Sequence, residues 1–294
     1  MNLKISADDF GNSLNMSRVI YDCYKNGALN SMSVMVNSEY LDDSLALLDS
    51  NKHPNTSLHI NIAEGKPVSN PKDIPLLVDS SGRFNRGFVD LLLTYYLASS
   101  KKKAQIKHQI ELEVLEQITL YTKKLQTSKI SLDSHQHYHA LPFVADAILE
   151  GSRRLEDVSI EYIRVPYERF FFHIGSLQDA KNYFGANIIK HIILDTLSVF
   201  LKKKLRSFGV SFNDAFIGVL FTGRMTLDSI KKALVKTKPD DYVELLLHPG
   251  YISATEEKDR AKDRFTKFYS DVNRKKEADI LTSDYFAQHL KGRL

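Results

Sequence analysis

The chain has 294 residues, 43% of them hydrophobic and 26% charged, with a formal net charge of +4. That length buries a large core as one big domain or as two small ones. So mild a charge, with the basic residues dispersed, argues against a nucleic-acid partner. Runs such as Lys101–Lys103 and Lys202–Lys204 read as solvated faces or helix termini. The single cysteine, Cys23, excludes an internal disulfide and suits a reducing cytoplasm. No stretch approaches the roughly 18 apolar residues that span a bilayer. Charges at Asp8-Asp9 leave no room for an apolar signal core before them. The expectation is a soluble, cytoplasmic protein.

Leu3–Ala7 reads as a strand that stops at Asp8-Asp9, followed by a helix over Leu14–Lys25 closed by Gly27. Ser31–Val36 is a second strand, Tyr40–Ser50 a helix and Ser57–Ile62 a third strand. Residues 66–86, rich in Pro, Ser, Asp and Gly, form a long loop of the kind often used as a lid. Ile106, Ile110, Val114 and Ile118 recur every four residues, which predicts an amphipathic helix over Lys103–Leu125. Ile130–Asp133 is a strand, and Pro142 suits the first turn of a helix reaching Arg154. Ser159–Val165, Ala215–Leu220 and Val243–Leu247 are further strands, with a helix through Ile188, Ile192, Leu197 and Leu201. A charged helix over Thr255–Lys276 and a short one over Ser283–Leu290 follow. Strands alternating with helices imply βαβ units and a parallel sheet. Some seven such units with no long linker predict one α/β domain over residues 1–294, a (β/α) barrel.

The polar residues fall where such a barrel carries its chemistry. Asp8-Asp9 follow the first strand, and His59 and Asn61 are two apart in the third. Asp133, His135, His137 and His139 recur with period two at another strand end. Arg164 ends a further strand, and His248-Pro249-Gly250 ends the last. Five strands thus deliver ionisable groups at or near their C-terminal ends. Burying several histidines without partners costs several kcal/mol. A carboxylate with two imidazoles makes an open catalytic site for Zn²⁺ or a similar ion. Cys23 reads as a packing residue.

These segments resemble the YdjC/ChbG family of carbohydrate deacetylases, relatives of the polysaccharide deacetylases. The resemblance rests on Ser6–Gly11, Ser33–Asn37, Leu58–Asn61 with Glu64–Pro67, Asp133–His139 with Pro142, Arg164–Pro166 and Glu244 with His248–Gly250. It runs from residue 3 to about residue 283, with no familiar motif between Tyr167 and Phe212. It implies a distorted (β/α) TIM-like barrel of polysaccharide-deacetylase type that hydrolyses the N-acetyl group of an amino sugar or oligosaccharide. Carried onto matching positions, Asp9, His59 and His135 would hold one divalent ion, Mg²⁺ or Zn²⁺. Asp8 would be general base, His248 general acid, and Arg164 would orient the base. Ala63, where a Thr is common, and Asn12, where an aliphatic residue is usual, depart from the pattern.

Adjacent aspartates on a strand face opposite ways, so both reach one site only if the strand ends there and the chain turns at Gly11. Tyr138, Tyr167 and Phe170–Phe172 are candidates for a sugar-stacking platform, with core packing as the competing role. Two other readings stand beside the deacetylase: another metal-dependent barrel hydrolase or isomerase, and a sugar-binding relative without catalysis. A symmetric homodimer is the base-rate expectation.

Overall fold

Strands buried on both faces need apolar residues at nearly every position, and helices cover those faces only if their apolar residues recur at helical period. The computed structural model, which describes residues 2–49, 53–174, 183, 186–260 and 264–289, follows that logic. Its strands are β1 (Asn2–Phe10), β2 (Ser31–Val34), β3 (Asn55–Ile60), β4 (Lys129–Ser134), β5 (Ser159–Ile163), β6 (Ala215–Ile217) and β7 (Tyr242–Leu247). Its main helices are α1 (Leu14–Asn26), α2 (Leu41–Leu45), α3 (Phe88–Leu97), α4 (Ser100–Leu125), α5 (Pro142–Gly151), α6 (Ala186–Phe208) and α7 (Leu227–Val235). Four shorter ones follow: α8 (Ala254–Asp259), α9 (Thr266–Tyr269), α10 (Val272–Leu281) and α11 (Asp284–His289).

The seven strands form one parallel sheet in the order β5-β4-β3-β2-β1-β7-β6, curled into an incomplete barrel. Between the edge strands, Ser211 exchanges backbone hydrogen bonds with Ile163 and Glu161 at 3.0 and 3.1 Å. The Asn213 side chain adds bonds to the N–H and carbonyl of Val165. The barrel is therefore distorted, as expected, with a stitched seam in place of a strand ladder.

Several boundaries depart from the sequence reading for physical reasons. β1 does not stop at Asp8. Its register with β2 shifts between Ala7 and Phe10, and Asp9 takes φ 71° there. This bulge turns Asp8 and Asp9 toward one site while the strand continues. Gly11 then turns the chain at φ 94°, where a Cβ would sit 2.8 Å from the Met35 carbonyl oxygen. Gly27 is needed for close approach instead of a left-handed cap: its φ is −131°, and a Cβ would lie 2.5 Å from the Leu281 carbonyl oxygen. The helix expected over Tyr40–Ser50 is only α2. The single helix expected over Thr255–Lys276 is broken into α8, α9 and the start of α10, with Asp271 capping the last. The spacing missed α3 and α7.

Residues 66–86 are pinned. Glu113 of α4 accepts from the N–H groups of Val68 and Ser69 at 2.9 Å, Gln109 accepts from that of Leu76, and Ile74 and Leu77 are buried. That anchoring does not suit the lid expected there. Among the described residues, no helix is long and apolar enough to cross a membrane.

Candidate active site

The site grows from the C-terminal ends of β1, β3, β4, β5 and β7. His59, in β3, is fully buried, and its Nδ1 lies 2.6 Å from Asp133 Oδ1 on neighbouring β4. A carboxylate on one ring nitrogen aims the other. Here Nε2 points at Asp9 Oδ1, 3.6 Å away, with no hydrogen-bond partner.

His135 follows β4 directly, but the expected alternation of His135, His137 and His139 on a strand is overturned. Residues His135–Ala140 form a tight helical turn in which Gln136 and His137 take φ 54° and 60°. Left-handed backbone at non-glycine residues costs energy and tends to mark functional turns. The turn brings His135 Nδ1 to 3.1 Å from Asp9 Oδ1. It sends His139 downward, between the Ser134 hydroxyl and the Arg164 carbonyl, as a structural link. His137 is left buried with an unpartnered Nδ1 on the pocket wall.

Asp8 and Asp9 divide their partners. Asp8 receives both terminal nitrogens of Arg164, at 2.8 and 2.9 Å. Burial alone would raise its pKa, but the guanidinium charge outweighs that and holds the carboxyl far below the usual range. Arg164, itself fully buried, also meets Asp133 at 3.0 Å and Glu244 at 2.8 Å. The second Asp9 oxygen accepts from Arg274 of α10 at 3.0 Å.

Burial opposes a charged His59, yet the carboxylates of Asp8, Asp133 and Asp9 push its pKa up to about 10. That corner of the protein calls for a cation. The ligand atoms of Asp9, His59 and His135 lie within 4.8 Å of one another and could hold a metal ion. The donor set suits such an ion, and the orphaned His59 Nε2 is the atom that a metal would satisfy. A second triple, Asp8, His59 and Asp133, is equally compact, but Arg164 already neutralises its carboxylates.

His248, after β7, lines the same pocket of about 290 Å³ as Asp8, Asp9 and His135. Burial, reinforced by the nearby Arg274 charge, lowers its pKa to about 4. It is therefore neutral at pH 7 and holds no stored proton. A larger cavity, of about 570 Å³, opens at the other end of the strands among Asn2, Ser31, Asn55 and Lys129. None of the carboxylate–imidazole cluster lines it.

The structure thus brings together all six residues expected from the sequence. Arg274, Tyr269 and Glu64 were missed. Glu64 and Tyr269 hydrogen-bond each other beside His135 Nε2, which is 3.3 Å from the Glu64 carboxylate. Both Arg274 and Tyr269 sit in a segment whose charges read as a solvated helix, and no spacing signals them. None of the candidate stacking residues Tyr138, Tyr167 and Phe170–Phe172 lines the pocket. The Tyr138 hydroxyl is spent on the Arg86 carbonyl and Phe172 is buried, whereas Phe265 and Phe268 line the pocket. Asn61 ties the end of β3 to its loop through the N–H groups of Ala63 and Glu64.

Fold and site together define a parallel α/β barrel protein with a buried carboxylate–imidazole cluster at its strand ends. A family model described as YdjC-like protein matches residues 2–292, and the chain belongs to that family. A carbohydrate deacetylase of Danio rerio is 27% identical over 275 residues, covering 85% of this chain and 82% of that protein. One of Thermoanaerobacter pseudethanolicus is 34% identical over 152 residues, covering 52% of this chain and 57% of that protein. A solved structure from Enterococcus faecalis, provisionally named a cellobiose-phosphate cleavage protein, shares the fold. Its TM-score is 0.67 at 18% identity, over 99% of this chain and 94% of that one.

Proposed function

We propose that the protein is a metal-dependent carbohydrate deacetylase that releases acetate from an N-acetylated amino sugar or oligosaccharide. The observation that carries this reading is the pairing of two groups in one pocket. An incompletely satisfied Asp9–His59–His135 set lies beside Asp8, an ionised carboxylate clamped by Arg164. The names of the relatives supply the substrate class.

A divalent ion held by Asp9, His59 and His135 would polarise the acetyl carbonyl and acidify the attacking water. Asp8 is the general base. Arg164 fixes its carboxylate in plane and keeps it ionised, so it is ready to accept the water proton. That proton must reach the leaving nitrogen. His248, neutral and on the same wall, is assigned the relay. Asp133 positions His59 and takes no part in proton transfer. Because Arg164 occupies the second triple, the reading is of one ion, which disfavours a two-metal isomerase. Zn²⁺ and Mg²⁺ are both compatible with the donor set.

The test combines metal content with acetate release from N-acetylglucosamine oligomers. Asp8→Asn is expected to keep the ion and lose most activity, and His135→Ala to lose the ion. Stoichiometric metal in His135→Ala would refute the ligand assignment. Absence of acetate from any N-acetylated sugar by the metal-loaded enzyme would refute the activity.

A further inference from the structure

The catalytic pocket does not end at its polar wall. Gln136 and Lys190 line it, and the same two residues line a second cavity of about 290 Å³ whose other walls are Phe88, Val89, Ile189, Ile193 and Leu194. That second cavity is a groove between α3 and α6, and among these five residues there is no polar side chain. Its apolar character continues outward on the same two helices. Val89 is 52% exposed, Leu93 52% and Leu97 83% on α3, and Ile189 is 63% and Ile192 57% on α6. Exposed apolar residues gathered in one place mark a binding surface.

Lys190 stands where the two cavities meet. Among the described residues its ammonium has no hydrogen-bonding or ion-pairing partner. Desolvation lowers its pKa to about 8, with the Asp8 charge working the other way, so it remains largely charged at neutral pH. A cation left unpaired at a polar–apolar boundary calls for an anion.

We propose that the substrate is amphipathic: an acetamido sugar in the catalytic pocket, joined by a phosphate-type link at Lys190 to an apolar chain in the α3–α6 groove. This rests on the deacetylase reading and adds the substrate class. Continuity with the catalytic pocket selects the chain of the substrate as occupant of the groove. The position of the unpaired ammonium selects an anionic link.

The test uses three soluble probes below their micelle concentrations: N-acetylglucosamine 1-(octyl phosphate), N-acetylglucosamine 1-(methyl phosphate) and methyl N-acetylglucosaminide. The wild-type kcat/KM is expected to be at least about tenfold higher for the octyl than for the methyl phosphate. In Val89→Ser/Ile189→Ser, two exposed positions, that ratio should fall toward one. In Lys190→Met, the preference for methyl phosphate over methyl glycoside should be lost. An octyl-to-methyl ratio near one in the wild type, or one that survives the double variant, overturns the proposal. So does a dimer in sedimentation velocity that the double variant dissociates, because a second copy would then cover the groove. If no probe releases acetate, the deacetylase reading fails. Calorimetric binding of the two phosphate probes then judges the groove alone: tighter octyl binding supports it and equal binding overturns it.

Discussion

Two clusters of buried polar side chains meet at Asp8-Asp9, and they are finished to different degrees. Below the pocket, Arg164 spreads its nitrogens over Asp8, Asp133 and Glu244, and Ser6 and Tyr162 close the remaining acceptors. Above it, Asp9, His59 and His135 leave a ring nitrogen orphaned and lean on a positive-φ aspartate. The lower cluster is saturated without any ligand, as a structural support must be. The upper one keeps an unpartnered ring nitrogen and could hold a metal ion. Partnering, more than residue type, separates the two clusters, since each holds carboxylates with a basic group; Asp8 belongs to the saturated one yet also faces the pocket.

The largest test of that contrast is Arg164→Met, which leaves three buried carboxylates facing one another. Breaking a buried ion pair costs about 3–5 kcal/mol, and denaturant unfolding should show at least that loss. An unchanged midpoint would mean that the lower cluster is not a support. The same measurement on metal-free His135→Ala should show a much smaller loss. Next in size is the effect of the ion. Zn²⁺ or Mg²⁺ at a hundred times its Kd should stabilise the wild type by about 2.7 kcal/mol and leave His135→Ala unmoved. If both proteins gain equally, the ion binds elsewhere. Asp133→Asn probes the joint between the clusters, because it weakens the aiming of His59. Metal affinity should fall roughly 10- to 100-fold, measured by competition with a chelating dye.

A separate, pH-dependent effect concerns Lys190. Burial lowers its pKa from the ordinary lysine value of 10.5 to about 8 on folding. The unfolded chain therefore binds the extra proton between those values, and stability should rise as pH climbs from about 8 toward 10.5. Below pH 8 the penalty for burying the charge is fully present. Lys190→Met should remove that slope, and an unchanged pH dependence of unfolding would show that the amine is well solvated.

Much of this was readable in advance because strand ends and apolar runs are local properties. The ionisable groups after Ala7, Leu58, Leu132, Ile163 and Leu247 marked the catalytic end of the barrel before any contact was known. What could not be read depends on backbone signs and on distant partners. Nothing in Asp-Asp-Phe-Gly announces a bulge at Asp9, and the period-two histidines imitate a strand where the chain coils. Arg274 looks like any surface arginine in a charged segment. It becomes a buried neighbour of Asp9 only because that segment breaks into short helices over the pocket. The cavity beside Lys190 was equally invisible, since α3 went unrecognised and Tyr167–Phe212 carried no familiar motif.

The Asp9–Arg274 hydrogen bond joins residues 265 positions apart. At a synthesis rate of about 5–20 residues per second, the arginine is made roughly 13–53 s after its aspartate. Through that interval a nascent chain can already hold β1, β3 and β4, and so all three proposed ligands, but the second Asp9 oxygen lacks its Arg274 partner. The proposed ligand set thus takes its final geometry only after residue 274 has been made and docked against Asp9.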